Sequence, residues 1–155
     1  MSRAGDDCGK FVFRMQTLLN LKIQIENGLK NDLGRAVQEL ERQKDILNRL
    51  NKEMDEYVHS VNSKSWEGIS VGELREYNTY ISYLSNRVKL QKENIKKAQL
   101  VVDKYRDKLI KAMQERKVLE KLREKKFEEY LKDQVKEEQK LNDEIVSFNI
   151  SNSEE

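Results

Sequence analysis

The sequence predicts an all-α protein: two long helices forming an antiparallel coiled-coil hairpin, with the C-terminal helix longer and overhanging. Three observations predict it. Proline is absent from the 155 residues, which removes the residue that most reliably breaks a helix. Charged and hydrophobic residues each make up 37% of the chain and aromatics 7%, too little apolar bulk to fill a spherical core. Apolar residues also recur at alternating spacings of three and four along two stretches separated by a single Ser-, Asn- and Gly-rich segment.

The chain is expected to divide into a disordered tail over 1–10, one hairpin domain over 11–148 and a second disordered tail over 149–155. Within the domain the first helix is placed at 11–62, the turn at 63–69 and the second helix at 70–148. In the first helix Leu33, Ala36, Leu40, Leu47, Leu50, Met54, Tyr57 and Val61 form a heptad stripe, with Gln43 at a seam position. Upstream, Leu18, Leu21, Ile25, Leu29 and Leu33 read as its continuation, with an inserted stutter that locally unwinds the supercoil. Gly28 and Gly34 lie beside that stutter, either bending the helix or sitting on its surface. The apolar face of KFVFRMQTLLNLK, residues 10–22, is expected to pack on the second helix as it leads into the seam, rather than lie on a membrane.

The turn falls in HSVNSKSWEGISVG. Its exit carries Ser70 and Glu73 in an S-x-x-E capping box, with Ile69 and Leu74 where a hydrophobic staple requires them. The second helix keeps its stripe through Leu74, Tyr77, Ile81, Leu84, Val88, Gln91, Ile95, Ala98, Val102, Tyr105, Leu109 and Ala112, extended by Leu119 and Leu122. Folding the stripes together pairs residues whose numbers sum to roughly 131–138 by heptad phase. Gln43 and Gln91 then share a layer or sit in neighbouring ones. Their amides either bond across the seam as a register device or are solvated independently. The first helix runs out opposite the early 120s, leaving roughly 25 residues, or about 35 Å of helix, without an intramolecular partner. Phe127, Leu131 and Val135 give that overhang a thin apolar strip.

Several functions are excluded by what the chain lacks. Thirty Lys plus Arg against 28 Asp plus Glu leave a net charge of +2, with both signs interleaved, so no basic face for nucleic acid is expected. Cys8 and His59 are the only cysteine and histidine, two ligands short of a zinc site. No phosphate loop, HExxH or nucleophile elbow is present, and a thin rod offers no dry pocket for tuning carboxylates. No enzyme activity and no cofactor are expected. Neither a secretion signal nor a run of roughly 20 apolar residues occurs, which points to a soluble, intracellular chain with no membrane insertion.

One edge stands out as a candidate binding surface. Tyr80 and Tyr83 fall off the seam, and Tyr80, Arg87 and Ile46 share the g position that flanks one side of an antiparallel pair. Together with the adjoining Leu50 and Leu84 they have the composition of an interaction hot spot, unless the rings merely cover the flank of a narrow seam.

From Phe11 to about Phe148 the chain resembles the flagellar type III export family called FliJ. The resemblance rests on FVFRMQTLLNLK followed by Glu26, on LREYNTYISYL with Tyr77, Tyr80 and Leu84, and on VLEKLREKK followed by EEQKLNDE. It implies a stalk in the pore of a hexameric export ATPase, contacting the cytoplasmic domain of the membrane export gate and handling export chaperones. It also implies a cytoplasmic location, peripherally associated with the inner face of the cell membrane at the flagellar base. On that reading Ile46, Leu50, Tyr80, Tyr83, Leu84 and Arg87 face the gate. Phe11, Phe13, Leu119, Lys121, Leu122, Lys125, Phe127 and Leu131 meet the ATPase ring. A passive coiled-coil spacer or oligomerising rod, and a chaperone or arm of a larger assembly, remain the alternatives.

Overall fold

The structure, a computed structural model, describes residues 10–152. It is all-α among those residues, with α1 over Gln16–Glu67 and α2 over Val71–Asn152, 52 and 82 residues long. Both outlast their predicted ends. Residues 63–67, assigned to the turn from their Ser and Lys content, continue α1. Ser65 accommodates this by donating its hydroxyl to the Asn62 carbonyl at 2.7 Å instead of competing with the helix. Only residues 68–70 break the chain. Gly68 stops α1 with φ 95, a left-handed conformation that a Cβ penalises.

At the start, residues 10–13 are not helical, and Gln16 N donates to Phe13 O at 3.0 Å as the chain enters α1. At the far end, residues 149–152 are helical, whereas the sequence suggested a disordered tail from 149. Ser151 Oγ donates to the Phe148 carbonyl at 2.9 Å there, and neither proline nor glycine interrupts the run. The proposed tail over 1–9, including Cys8, and residues 153–155 lie outside the described residues.

The start of α2 is built as the capping box predicts. Ser70 N donates to Glu73 Oε2 at 3.0 Å and Glu73 N donates back to Ser70 Oγ at 3.2 Å. Those hydrogen bonds, the backbone one first, hold the Glu73 carboxyl below its ordinary range. A carboxylate with a depressed folded-state pKa contributes stability that is present above its unfolded pKa and lost as pH falls through the folded value. Ser70→Ala is expected to cost about 0.5–2 kcal/mol and to flatten the acid limb of a pH-dependent thermal melt followed by circular dichroism.

The chain divides into two compact units where the sequence suggested a single hairpin domain over 11–148. One unit comprises Met1–Ile25 with Ala112–Glu155, and the other Glu26–Lys111. The second unit is itself an antiparallel helical hairpin. Its core joins Ala36 and Leu40 to Val102, with Leu33, Ile95, Ala98 and Tyr105 packed around them. Leu50, Leu84 and Gln91 are buried at other points of this unit. Gln91 Nε2 donates to the Gln43 side-chain Oε1 at 2.6 Å and to the Gln43 carbonyl at 2.8 Å, so the two glutamines meet across the seam instead of being solvated apart.

The first unit pairs the start of α1 with α2 from Ala112 onward, around Phe13, Leu19 and Leu119. Here the expected seam is overturned. Leu18, Leu21 and Ile25 are 40%, 50% and 42% exposed, whereas Leu19 is buried and Lys22 half-buried. Glu26, the next position of that seam and the first residue of the second unit, is also buried. The three-four alternation therefore runs back from Leu29 through Glu26, Lys22 and Leu19 with no stutter, and the apolar triplet is left on the flank.

Uninterrupted heptad phase outweighs the burial of three aliphatic side chains because the polar residues it places in the seam find partners. Lys22 Nζ contacts Glu115 Oε2 at 2.6 Å and Lys30 Nζ contacts Glu26 Oε1 at 2.8 Å. Among the described residues no buried side-chain polar atom lacks a hydrogen-bond partner. The long Lys stem also covers apolar surface.

Neither Gly28 nor Gly34 breaks α1 or admits a close approach. The helix passes through both, and a Cβ built at either meets nothing within 4 Å. Gly28→Ala and Gly34→Ala are each expected to stabilise the protein by about 1 kcal/mol, seen as a higher denaturation midpoint in urea with an unchanged slope.

Candidate functional site

In the second unit, the period of α2 brings Tyr77, Tyr80 and Tyr83 within reach of Tyr57 on α1. The Tyr57 ring lies 4.4 Å from Tyr80 and 5.4 Å from Tyr77, and Tyr80 lies 6.0 Å from Tyr83 in a stacked arrangement. The Tyr80 hydroxyl donates to Glu53 Oε1 across the helix pair. That bond, followed by desolvation, raises the Tyr80 pKa above the ordinary phenol value, so the ring stays a neutral donor at physiological pH. Arg87 sits over the Tyr83 ring at 5.8 Å and Lys64 over Tyr77 at 5.5 Å, cation–π placements that leave the guanidinium and half of Tyr83 in solvent. A ladder of four tyrosines with basic side chains over two of them thus forms one partly exposed surface.

Of the residues assigned to this surface, Tyr83 and Arg87 are exposed and Ile46 and Tyr80 half-buried. Leu50 and Leu84 are buried, at 6% and 1% exposure. They support the surface from beneath and offer nothing to a partner. Tyr57 and Glu53 were missed, although the pairing sum sets both opposite the tyrosines. Tyr57 stands in the sequence only as a member of the α1 stripe and Glu53 carries no signal of its own, because heptad position does not encode what a seam ring touches beyond its own layer.

In the first unit, the non-helical start lays Phe11 against α2. Its ring meets Phe127 edge-on at 5.1 Å and Tyr130 at 5.7 Å, and Phe127 and Tyr130 stack at 6.3 Å. Phe11 and Leu122 pack on the core of Phe13, Leu19 and Leu119. Phe13 and Leu119 are therefore interior residues. Lys121, Lys125, Phe127 and Leu131 are the exposed members of the expected ring-facing set, with Phe11 and Leu122 half-buried. The reach of Phe11 to Tyr130 moves the start of the overhang from the early 120s to 131. From 131 to 151 every residue is exposed, over about 30 Å of helix.

Among the described residues, no group of three or more His, Cys, Asp or Glu is arranged to hold a metal ion. No helix there is long and apolar enough to cross a membrane. No curated protein and no solved structure matches the chain. A family model described as the flagellar FliJ protein matches residues 11–155, taking in both the tyrosine ladder and the clasp of Phe11 on α2. The chain therefore belongs to the flagellar FliJ family, a family of coiled-coil proteins related to flagellar export.

Proposed function

We propose that this chain is a non-enzymatic coiled-coil stalk of the flagellar type III export apparatus. In this reading the unit containing Phe11 and Phe127 engages the hexameric export ATPase ring. The tyrosine ladder engages the cytoplasmic domain of the membrane export gate, which holds the chain at the inner face of the membrane without insertion. Export chaperones are its further partners. The observation that carries the reading is the helix from 131 to 151, in which every residue is exposed. A helix of that length is marginal alone in water, and a surrounding ring would supply its missing neighbours.

Its charges suit transient contact. Within it Lys140 pairs with Glu137 at 2.9 Å, and just before it Lys126 pairs with Glu129 at 2.7 Å. Exposed pairs of this kind contribute only about 0–1 kcal/mol each, so they can exchange for contacts with successive ring subunits at little cost. The test is stimulation of the export ATPase by the full chain and by a form ending at Tyr130, which keeps the Phe11, Phe127 and Tyr130 contacts. Stimulation is expected to fall severalfold in the shortened form. Equal turnover with both would remove the overhang from the mechanism.

A further inference from the structure

We propose that a second copy of this chain docks on the apolar flank of α1 formed by Met15, Leu18, Leu21 and Ile25, using its own exposed stretch of α2, residues 131–151. This self-association goes beyond the stalk reading and does not depend on it. The four flank residues are 40–50% exposed and recur at three, three and four, so they share one side of the helix. The adjoining side is already occupied, with Leu19 in the core and Lys22 on Glu115.

Charge identifies the occupant. Residues 10–25 contain Lys10, Arg14 and Lys22 and no acidic side chain. Lys22 is committed to Glu115, whereas Lys10 and Arg14 make no ion pair with any described residue. The flank thus calls for an amphipathic helix with an acidic border. The stretch from 131 to 148 is such a helix, with five acidic residues against three basic ones. Its Leu131, Val135, Leu141, Ile145 and Phe148 are 47–65% exposed. Glu129 and Asp133 of the same chain line the groove at Arg14 and Met15, so the positive charge there is modest and a helix of mixed charge suits it better than an anionic membrane.

The two surfaces also agree in register. Laying the stretch parallel to the partner's α1 with Leu141 on Leu18 brings Ile145 to Leu21 and Phe148 to Ile25. The same placement sets Glu137 beside Arg14. Under a two-fold axis both contacts form at once. Because Leu18 lies level with about residue 119 of its own α2, the two α2 helices then run antiparallel with facing numbers summing to about 260, which sets Lys132 opposite Glu128 and Lys136 opposite Glu124. Pairing the two stretches along their whole length instead would oppose Glu137 to Glu144.

The experiment uses the full chain. Sedimentation velocity is expected to show a dimer at about 100 μM that weakens at least tenfold between about 0.05 and 0.5 M salt, as screened ion pairs require. Leu18→Asp with Leu21→Asp, and separately Leu141→Asp with Ile145→Asp, should each yield monomer with unchanged helix content. In a Cys8→Ser background, Leu18→Cys with Leu141→Cys should give a disulfide-linked dimer on mild oxidation, and Leu18→Cys with Leu131→Cys should not. A monomer throughout, a dimer that survives the flank substitutions, or the reverse cross-linking pattern would each overturn the proposal. So would flank-dependent pelleting with phosphatidylglycerol vesicles by a chain that stays monomeric.

Discussion

Leu84→Ala is expected to lower the unfolding free energy by about 2–3 kcal/mol, in the lower half of the range for truncating a buried leucine. Leu84 is 1% exposed, one of the two most completely buried large side chains, the other being Val102. Truncation removes its transfer free energy and leaves a void that a continuous helix cannot close by backbone movement. The value falls below the extreme for such changes because a two-helix seam is only one layer deep. Water can enter the void from the flank, so part of the cavity term is relieved. Urea denaturation followed by circular dichroism measures the change. Leu90→Ala, at a site 64% exposed, is the matched control and should stay within about 0.5 kcal/mol of the parent. Equal effects at the two positions would contradict the assigned seam.

Tyr80→Ala is expected to weaken binding to the cytoplasmic domain of the export gate by roughly tenfold to a hundredfold, the range of a hot-spot aromatic, with helix content retained. Tyr80 joins Tyr57 to Tyr83 in the ladder and anchors it through Glu53. Its loss therefore removes contact area and also frees the neighbouring ring that a partner would meet. Tyr80→Phe separates these contributions. It keeps the ring contacts, loses the bond to Glu53, and should bind within about threefold of the parent if apolar contact dominates. Calorimetric titration against the isolated gate domain reads both variants. A Tyr80→Ala form that loses helicity and affinity together would mean that the ladder only covers the seam.

The fold was legible because its signals are periodic. The stripe from Leu33 to Val61 and its counterpart from Tyr77 to Ala112 each persist for several heptads, and the capping box at Ser70 fixed where α2 begins. The seam of the first unit was misread because identity and phase disagree there. Leu18, Leu21 and Ile25 are better core formers than Lys22 and Glu26. The sequence shows that preference, and the Glu26–Lys30 pair at i, i+4, but not that Lys22 meets Glu115 across the helix pair, which makes the polar choice acceptable. The helix ends were misjudged for a different reason. Composition marks a turn, but α1 ends only where the backbone needs a positive φ, at Gly68. Of the candidate surfaces, the off-seam positions of Tyr80, Tyr83 and Arg87 followed from the heptad alone. The roles of Tyr57, Glu53 and Phe11 depended on side-chain reach across the pair, which spacing does not encode.

The Lys22 and Glu115 contact in the first unit means that this section is secured partly by opposite charges in a half-open setting. The section around Leu40 and Val102 is secured by hydrocarbon. Added electrolyte weakens the former and leaves the latter untouched or firmer. Ionic strength would then act as a selective solvent, loosening the charged section while its hydrocarbon counterpart remains wound.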